Sequence, residues 1–205
     1  MPLILVIIVV TIAYLIGSAS GGLLLAPLFG QGDPRRGGSG NIGATNALRT
    51  GGRAYGLAVL LFDMIKGVVA AGLVPWLFAV DGPWPFVAGV FAILGHVFPV
   101  YYGFRGGKGA ATCIGVLLVL MPGSLVFGAA VWVAVLVASG YVGLSTILGM
   151  LAVAVASFFV PGLASAAHVF VIVASIIIIY THRSNISRML AGNENRFESA
   201  RFWRR

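Results

Sequence analysis

The residues best suited to chemistry stand in three short segments of a chain that is otherwise almost continuous hydrocarbon. The first is Gly37-Gly38-Ser39-Gly40-Asn41-Ile42-Gly43-Ala44-Thr45-Asn46, with Arg49 and Arg53 just beyond it. Glycines let backbone N–H groups converge on an anion, and a helix N-terminus that follows adds partial positive charge, so this turn suits phosphate. Ser39, Asn41, Thr45 and Asn46 add neutral donors. The second segment runs from Gly95-His96 to Thr112 and contains Arg105-Gly106-Gly107-Lys108-Gly109. An arginine fork suits bidentate phosphate contact and a lysine serves as a point charge, so Arg49, Arg105 and Lys108 are the candidate cations. Each of these two segments is expected to open a helix, which lets two phosphate groups be held at once. The third is Thr181-His182-Arg183-Ser184-Asn185-Ile186-Ser187-Arg188, where one helical face presents His182 and Asn185 to a ligand.

Other chemistries fit less well. Arg105 to Gly109 is not a nucleotide P-loop: Tyr102 occupies the glycine position six before Lys108, Gly109 replaces the Ser or Thr after it, and no strand precedes it. Five acidic residues, with no cluster beside the segments, do not make a metal site, and no cofactor is expected. Cys113 is the single cysteine, so no internal disulfide or multi-cysteine cluster forms. Asp63 and Lys66, three residues apart, read either as a catalytic pair or as a mutually neutralising pair on a helix surface near the interface, and neither is assigned to catalysis. His96 reads equally as a structural or an acid–base group, and His168, among alanines, as structural.

The elements that carry these segments must be membrane helices. The chain has 205 residues, of which 60% are hydrophobic and only 9% charged, with a mean hydropathy of +1.04. Soluble domains carry about 25% charged residues. The net charge of +8 does not mark a nucleic-acid binder, because the basic residues punctuate apolar runs instead of forming a patch. By the positive-inside rule they mark cytoplasmic loops. The run from Met1 to Ile16 lacks a basic residue in front of it and is expected to be a retained span, not a signal peptide. Spans one to three are expected over residues 3–29, 54–80 and 86–101. Residues 109–182 contain no Asp, Glu, Lys or Arg, and both flanking basic segments belong on one side. Four spans of roughly eighteen residues satisfy that condition. Met121-Pro122-Gly123, Ser139-Gly140 and Val160-Pro161-Gly162 are the breaks between them. The expectation is one all-α domain over 1–205 with seven transmembrane helices, spans four and five short, the N-terminus outside and the C-terminus cytoplasmic. Gly17 with Gly21, and Gly140 with Gly143, are expected to allow close helix packing. All three polar segments then lie on the cytoplasmic face, in one composite site. Phe197, Phe202 and Trp203, interleaved with arginines, read as an interfacial anchor on anionic lipid.

Ser39-Gly40-Asn41-Ile42-Gly43-Ala44-Thr45-Asn46, Gly95-His96 through Thr112, and Thr181-His182-Arg183 with Asn185-Ile186, Arg188, Gly192, Glu194 and Arg196 together resemble the bacterial acyl-phosphate-dependent glycerol-3-phosphate acyltransferases, the PlsY family. The resemblance extends over nearly the whole chain. It implies a seven-helix enzyme of the bacterial cytoplasmic (inner) membrane that moves a fatty acyl group from acyl phosphate to the 1-hydroxyl of sn-glycerol 3-phosphate. The products are lysophosphatidic acid and inorganic phosphate. It further implies that Ser39, Gly40, Asn41, Gly43, Ala44, Thr45 and Asn46 cradle acyl phosphate, and that Arg49, Lys108, His182 and Asn185 hold glycerol 3-phosphate. Arg105, Gly106, Gly107 and Glu194 support these groups. Either a phosphate oxygen of the substrate takes the hydroxyl proton or His182 is the catalytic base. The implied partners are the two substrates, membrane lipid and a peripheral enzyme supplying acyl phosphate.

Two other classes share some of these features. A transporter for a phosphorylated solute or anionic lipid would also want cationic, glycine-rich loops, yet the polar groups lie on one side with no charged path through residues 109–182. A lipid-binding scaffold leaves the asparagines and glycines of the first segment without a use.

Overall fold

The computed structural model describes residues 2–200, with Ser199 described by its backbone alone. The described elements are all helical, as expected. They form two compact units, Met1–Leu120 and Met121–Arg205. Phe202 and Trp203 of the expected lipid anchor lie outside the described residues, as do Arg201, Arg204 and Arg205.

In the first unit, α1 (Leu3–Ser18) stops well before residue 29, where the first span was expected to end. Ala19 leaves the helical region, and Ser20 starts the short α2 (Gly21–Leu25) by accepting the Leu23 N–H at 3.4 Å. The next helix, α3 (Ala44–Val68), begins inside the first polar segment and breaks at Gly52 (φ 82, ψ −176), close to where a span was expected to begin. A Cβ at Gly56 would stand 2.7 Å from Leu48 Cβ, so residues 44–51 fold back against the helix that follows. A five-residue π turn (Val69–Leu73) then leads into α4 (Val74–Leu77). Pro75 there has no N–H to donate to the preceding turn, and the wider turn accommodates its ring. α5 (Trp84–Val97) and α6 (Ala110–Leu120) complete the unit.

Helices in lipid associate by close packing, with small residues at the crossings. A Cβ on Gly17 would run into the Ala92 carbonyl, and one on Gly95 into the Tyr14 carbonyl, which brings α1 and α5 to backbone distance. Gly67 and Gly115 do the same between α3 and α6, against Thr112 O and Met64 O. Gly21 is not part of the α1 contact, because it lies beyond the break beside Phe62 and Asp63.

The second unit holds α7 (Pro122–Ser139), α8 (Val142–Ser157), α9 (Ser165–Thr181) and α10 (Arg183–Leu190). Its breaks coincide with the expected ones: Pro122 takes a first-turn position, Gly140 (φ 75) ends α7 in the left-handed region, and Pro161-Gly162 separates α8 from α9. Gly128 and Gly149 face each other at the α7–α8 crossing, whereas Gly140 is a cap and Gly143 packs on Asn185. His168 is structural, stacked on Phe158 with ring centroids 4.6 Å apart and its Nε2 3.2 Å from Ser157 O.

Among the described residues three helical stretches are long and apolar enough to cross a membrane: Ala44–Leu77, Trp84–Tyr102 and Pro122–Ser139. A fourth is α9 with α10, if the pair, bent by 51°, counts as one. Trp76, Phe127, Phe159, Val169 and Ile176 are each at least 60% exposed, as lipid-facing side chains are. Three apolar helices among the described residues are shorter than these stretches, α1, α6 and α8, and the shortest of the three is α6, 11 residues or about 16 Å against a hydrocarbon core of about 30 Å. α7, with 18 residues bounded by Pro122 and Gly140, is long enough to cross a membrane, contrary to the short helix expected for span five.

Candidate active site

The first segment is folded around one side chain. Asn46 is buried in the first turns of α3, and its Nδ2 donates to Asn41 O at 2.7 Å, Pro34 O at 2.9 Å and Gly37 O at 3.1 Å. Two protons serve three carbonyls, so one is shared. Its Oδ1 accepts the Ser39 N–H at 2.7 Å and lies 3.2 Å from Ser39 Oγ. Asn41 Oδ1 accepts the Gly43 N–H at 2.7 Å, a side-chain turn that aims the chain into α3. Gly38 (φ 57) must be glycine twice over, since a Cβ there would also strike Asn46 Oδ1. Asn46 and the Gly43 amide are thus spent on the loop itself, which differs from the donor role expected of them. Asn46 N–H and Ala47 N–H both return to Gly43 O, at 3.0 and 3.1 Å. The N–H groups of Ala44 and Thr45 precede those bonds at the helix start, where the helix supplies no acceptor. Together with the half-buried Ser39 and Thr45 hydroxyls they give an anion-suited end. Gly40 (φ 71) is exposed. Arg49 is exposed one turn after Thr45 on the same face.

Ahead of this loop, Asp33 caps the turn at Pro34–Arg36 by accepting the Arg35 N–H at 2.9 Å. The Arg35 guanidinium, 2.6 Å from Asp33 Oδ2, holds that carboxyl below its usual range.

In the second segment the chain leaves α5 at Phe98, turns at Val100–Tyr102 and folds back on the helix end. Gly106 N–H donates to Val97 O at 3.1 Å and Gly107 N–H to His96 O at 3.0 Å. Phe104 holds φ 59, a conformation L residues resist. Cys113 N–H donates to Gly109 O at 2.8 Å as α6 begins, so this segment also opens a helix. Lys108 is half-buried immediately before that start, and Arg105 is exposed on the turn.

Asp63 and Lys66 are not a surface pair. They are 1% and 4% exposed, with Lys66 Nζ 2.9 Å from Asp63 Oδ1 and 2.8 Å from His96 Nδ1. Nothing in their own spacing announces His96, which arrives from another helix.

In the second unit His182 stands at the bend between α9 and α10, buried, with Nδ1 2.8 Å from Ile178 O. A carbonyl only accepts, so Nδ1 carries a proton and any proton uptake by a neutral His182 runs through Nε2. Asn185 N–H donates to His182 O at 2.9 Å, which keeps the two residues together as expected, but across a bend instead of along one helix face. Glu194 accepts from both Asn185 Nδ2 (Oε1, 2.8 Å) and Arg188 Nε (Oε2, 2.6 Å). Arg196 Nε donates to Tyr141 OH at 2.9 Å, and Phe197 N–H to Gly140 O at 2.7 Å. This clasp of the C-terminal segment on the α7–α8 turn has no signal in the sequence.

Apolar helices with lipid-facing side chains, joined by segments of glycine, amide and basic groups, define an integral membrane protein. The chain belongs to the glycerol-3-phosphate acyltransferase family, whose model matches residues 7–192. It is 45% identical over 185 residues to the glycerol-3-phosphate acyltransferase of Rhizobium etli, covering 90% of this chain and 88% of that protein. It is 39% identical over 188 residues to that of Aquifex aeolicus, covering 92% and 97%. Among solved structures it is similar to PlsY (YgiH), described as an integral membrane glycerol 3-phosphate acyltransferase. The glycerol 3-phosphate form matches with a TM-score of 0.87 and 38% identity over 94% of this chain and 95% of that one. The lysophosphatidic acid form matches with a TM-score of 0.87 and 35% identity over 96% and 98%.

Proposed function

We propose that this membrane acyltransferase takes its acyl group from acyl phosphate and delivers it to the 1-hydroxyl of sn-glycerol 3-phosphate, the first acylation of phospholipid synthesis. The observation that carries the reading is the Asn46-centred loop, which aims a glycine-rich backbone and the start of α3 at one place in a chain of this family. The enzyme works as one domain in the bacterial inner membrane. Seven spans put its N-terminus outside and the three polar segments on the cytoplasmic face, where a peripheral enzyme supplies the donor.

Acyl phosphate is a mixed anhydride and already activated, so alignment and charge stabilisation supply most of the catalysis. The 1-hydroxyl oxygen bonds to the acyl carbon, the bond from that carbon to the phosphate oxygen breaks, and the hydroxyl proton passes to a phosphate oxygen. In the first unit the assignment gives the donor phosphate to Ser39, Gly40, Ala44 and Thr45, with Asn41, Gly43 and Asn46 shaping their loop. It gives the acceptor phosphate to Arg49 and Lys108, with Arg105, Gly106 and Gly107 holding the turn. In the second unit His182 and Asn185 contact glycerol 3-phosphate, and His182 Nε2 is the competing base. Donor choice tests the reading: the purified protein is expected to form lysophosphatidic acid from acyl phosphate and none from acyl-CoA or acyl-carrier protein. Product from a thioester alone would overturn it.

A further inference from the structure

The Asp63–Lys66–His96 cluster joins the supports of both polar segments of the first unit. Lys66 Nζ donates to Gly17 O at 2.9 Å and Ala19 O at 2.7 Å, the carbonyls left without helical partners where α1 ends. Asp63 Oδ1 accepts the Gly21 N–H at 3.3 Å, where α2 begins. The cation therefore sits at the carboxyl end of one helix and the anion at the amino end of the next, the favourable sense for both dipoles. α2 in turn carries the first segment: the Ile42 carbonyl lies where a Cβ of Gly22 would be, and Tyr55 OH donates to Gly22 O.

On the other side the cluster meets the second segment through His96. As an ammonium, Lys66 donates to Nδ1 and leaves the ring proton on Nε2. Nε2 lies against Gly107, at the place a Cβ would occupy, while His96 O accepts the Gly107 N–H and blocks a Cβ on Gly106. Those are the two residues before Lys108. Tyr14 OH adds a bond to Phe98 O at 2.6 Å from the last turns of α1.

We infer that Asp63, Lys66 and His96 are positioning residues for the acyl transfer, a buried charge cluster that sets the first segment through α2 and the Lys108 turn through His96. Two arms extend from one ammonium group. The inference rests on the assignment of those segments to phosphate binding.

The test compares His96→Asn, whose amide takes the place of Nδ1, with His96→Gln, whose amide takes the place of Nε2, and with the charge-free double variant Asp63→Asn/Lys66→Gln. Steady-state kinetics of lysophosphatidic acid formation and thermal unfolding in detergent are measured for each. The parent must first turn over acyl phosphate and glycerol 3-phosphate; if it does not, the functional reading fails, and the inference with it. With an active parent, His96→Asn is expected within about threefold of the parent KM for glycerol 3-phosphate, and His96→Gln at least tenfold above it, with donor KM little changed. The double variant is expected to raise KM for both substrates. Equal kinetics for His96→Asn and His96→Gln would overturn the inference. So would a double variant that unfolds at the parent temperature with parent KM values. Should the double variant not fold, the order of the two His96 variants decides by itself.

Discussion

Asn46 Oδ1 accepts the Ser39 N–H at 2.7 Å across seven residues, and that bond makes the first polar segment a shaped loop instead of a flexible turn. The same side chain gathers three carbonyls with its Nδ2. Asn46→Asp keeps the acceptor and loses the donor, leaving the buried Pro34 carbonyl and the half-buried Gly37 and Asn41 carbonyls short of a partner at a cost of about 1–3 kcal/mol. Loss of at least tenfold in kcat/KM, equivalent to about 1.4 kcal/mol, is expected with helix content retained. Parent kinetics in the Asp variant would remove Asn46 from the account.

Lys108 is the half-buried cation at the start of α6. Lys108→Ala is expected to lose about a hundredfold or more in kcat/KM, roughly 2.7 kcal/mol, while thermal unfolding stays near the parent. A folded variant with unchanged kinetics would rule out the phosphate clamp.

His182→Asn separates binding from proton transfer. Because His182 Nδ1 is committed to Ile178 O, the Asn amide can keep that bond while Nε2 is lost. The substrate-assisted mechanism predicts a raised KM for glycerol 3-phosphate with kcat within about tenfold of the parent. A fall in kcat of several hundredfold at unchanged KM would assign the base to His182.

Much of the second unit was legible in the sequence because its helix ends are written by proline and glycine. Pro122, Gly140 and Pro161-Gly162 stop helices by their own backbone chemistry, whatever surrounds them. The break after Ser18 has no such local cause: its carbonyls are satisfied by Lys66, 47 and 49 residues along the chain. For the same reason Asp63 and Lys66 looked like a surface pair, since their i,i+3 spacing says nothing of which helix covers them. The first segment was readable as glycine-rich backbone before a helix. Which amides bind and which build the loop was not, because that depends on where the Pro34, Gly37 and Asn41 carbonyls converge.

Glu194 is the acceptor for Asn185 and Arg188 alike. Glu194→Ala leaves the buried Asn185 amide without that acceptor, and loss of such charge-assisted bonds costs about 1.5–3 kcal/mol. Thermal unfolding in detergent should show the Ala variant clearly below the parent and Glu194→Gln, which keeps an acceptor oxygen, between them. Equal melting of the Ala variant and the parent would contradict the bridging role.

The α3–α6 crossing depends on Gly67 and Gly115, where a Cβ would enter a backbone carbonyl of the other helix. Gly115→Ala must push the helices apart and is expected to cost about 1–3 kcal/mol. Gly123→Ala, at a glycine with open space around it, is the control and should melt near the parent.

The most direct test of the acyl-phosphate account is the stoichiometry of phosphate release by the purified protein in lipid or detergent, with acyl phosphate as the sole acyl source and chelator present. Phosphate should appear only with glycerol 3-phosphate, one per lysophosphatidic acid formed. Phosphate release independent of glycerol 3-phosphate, or none from a folded and monodisperse protein, would contradict it.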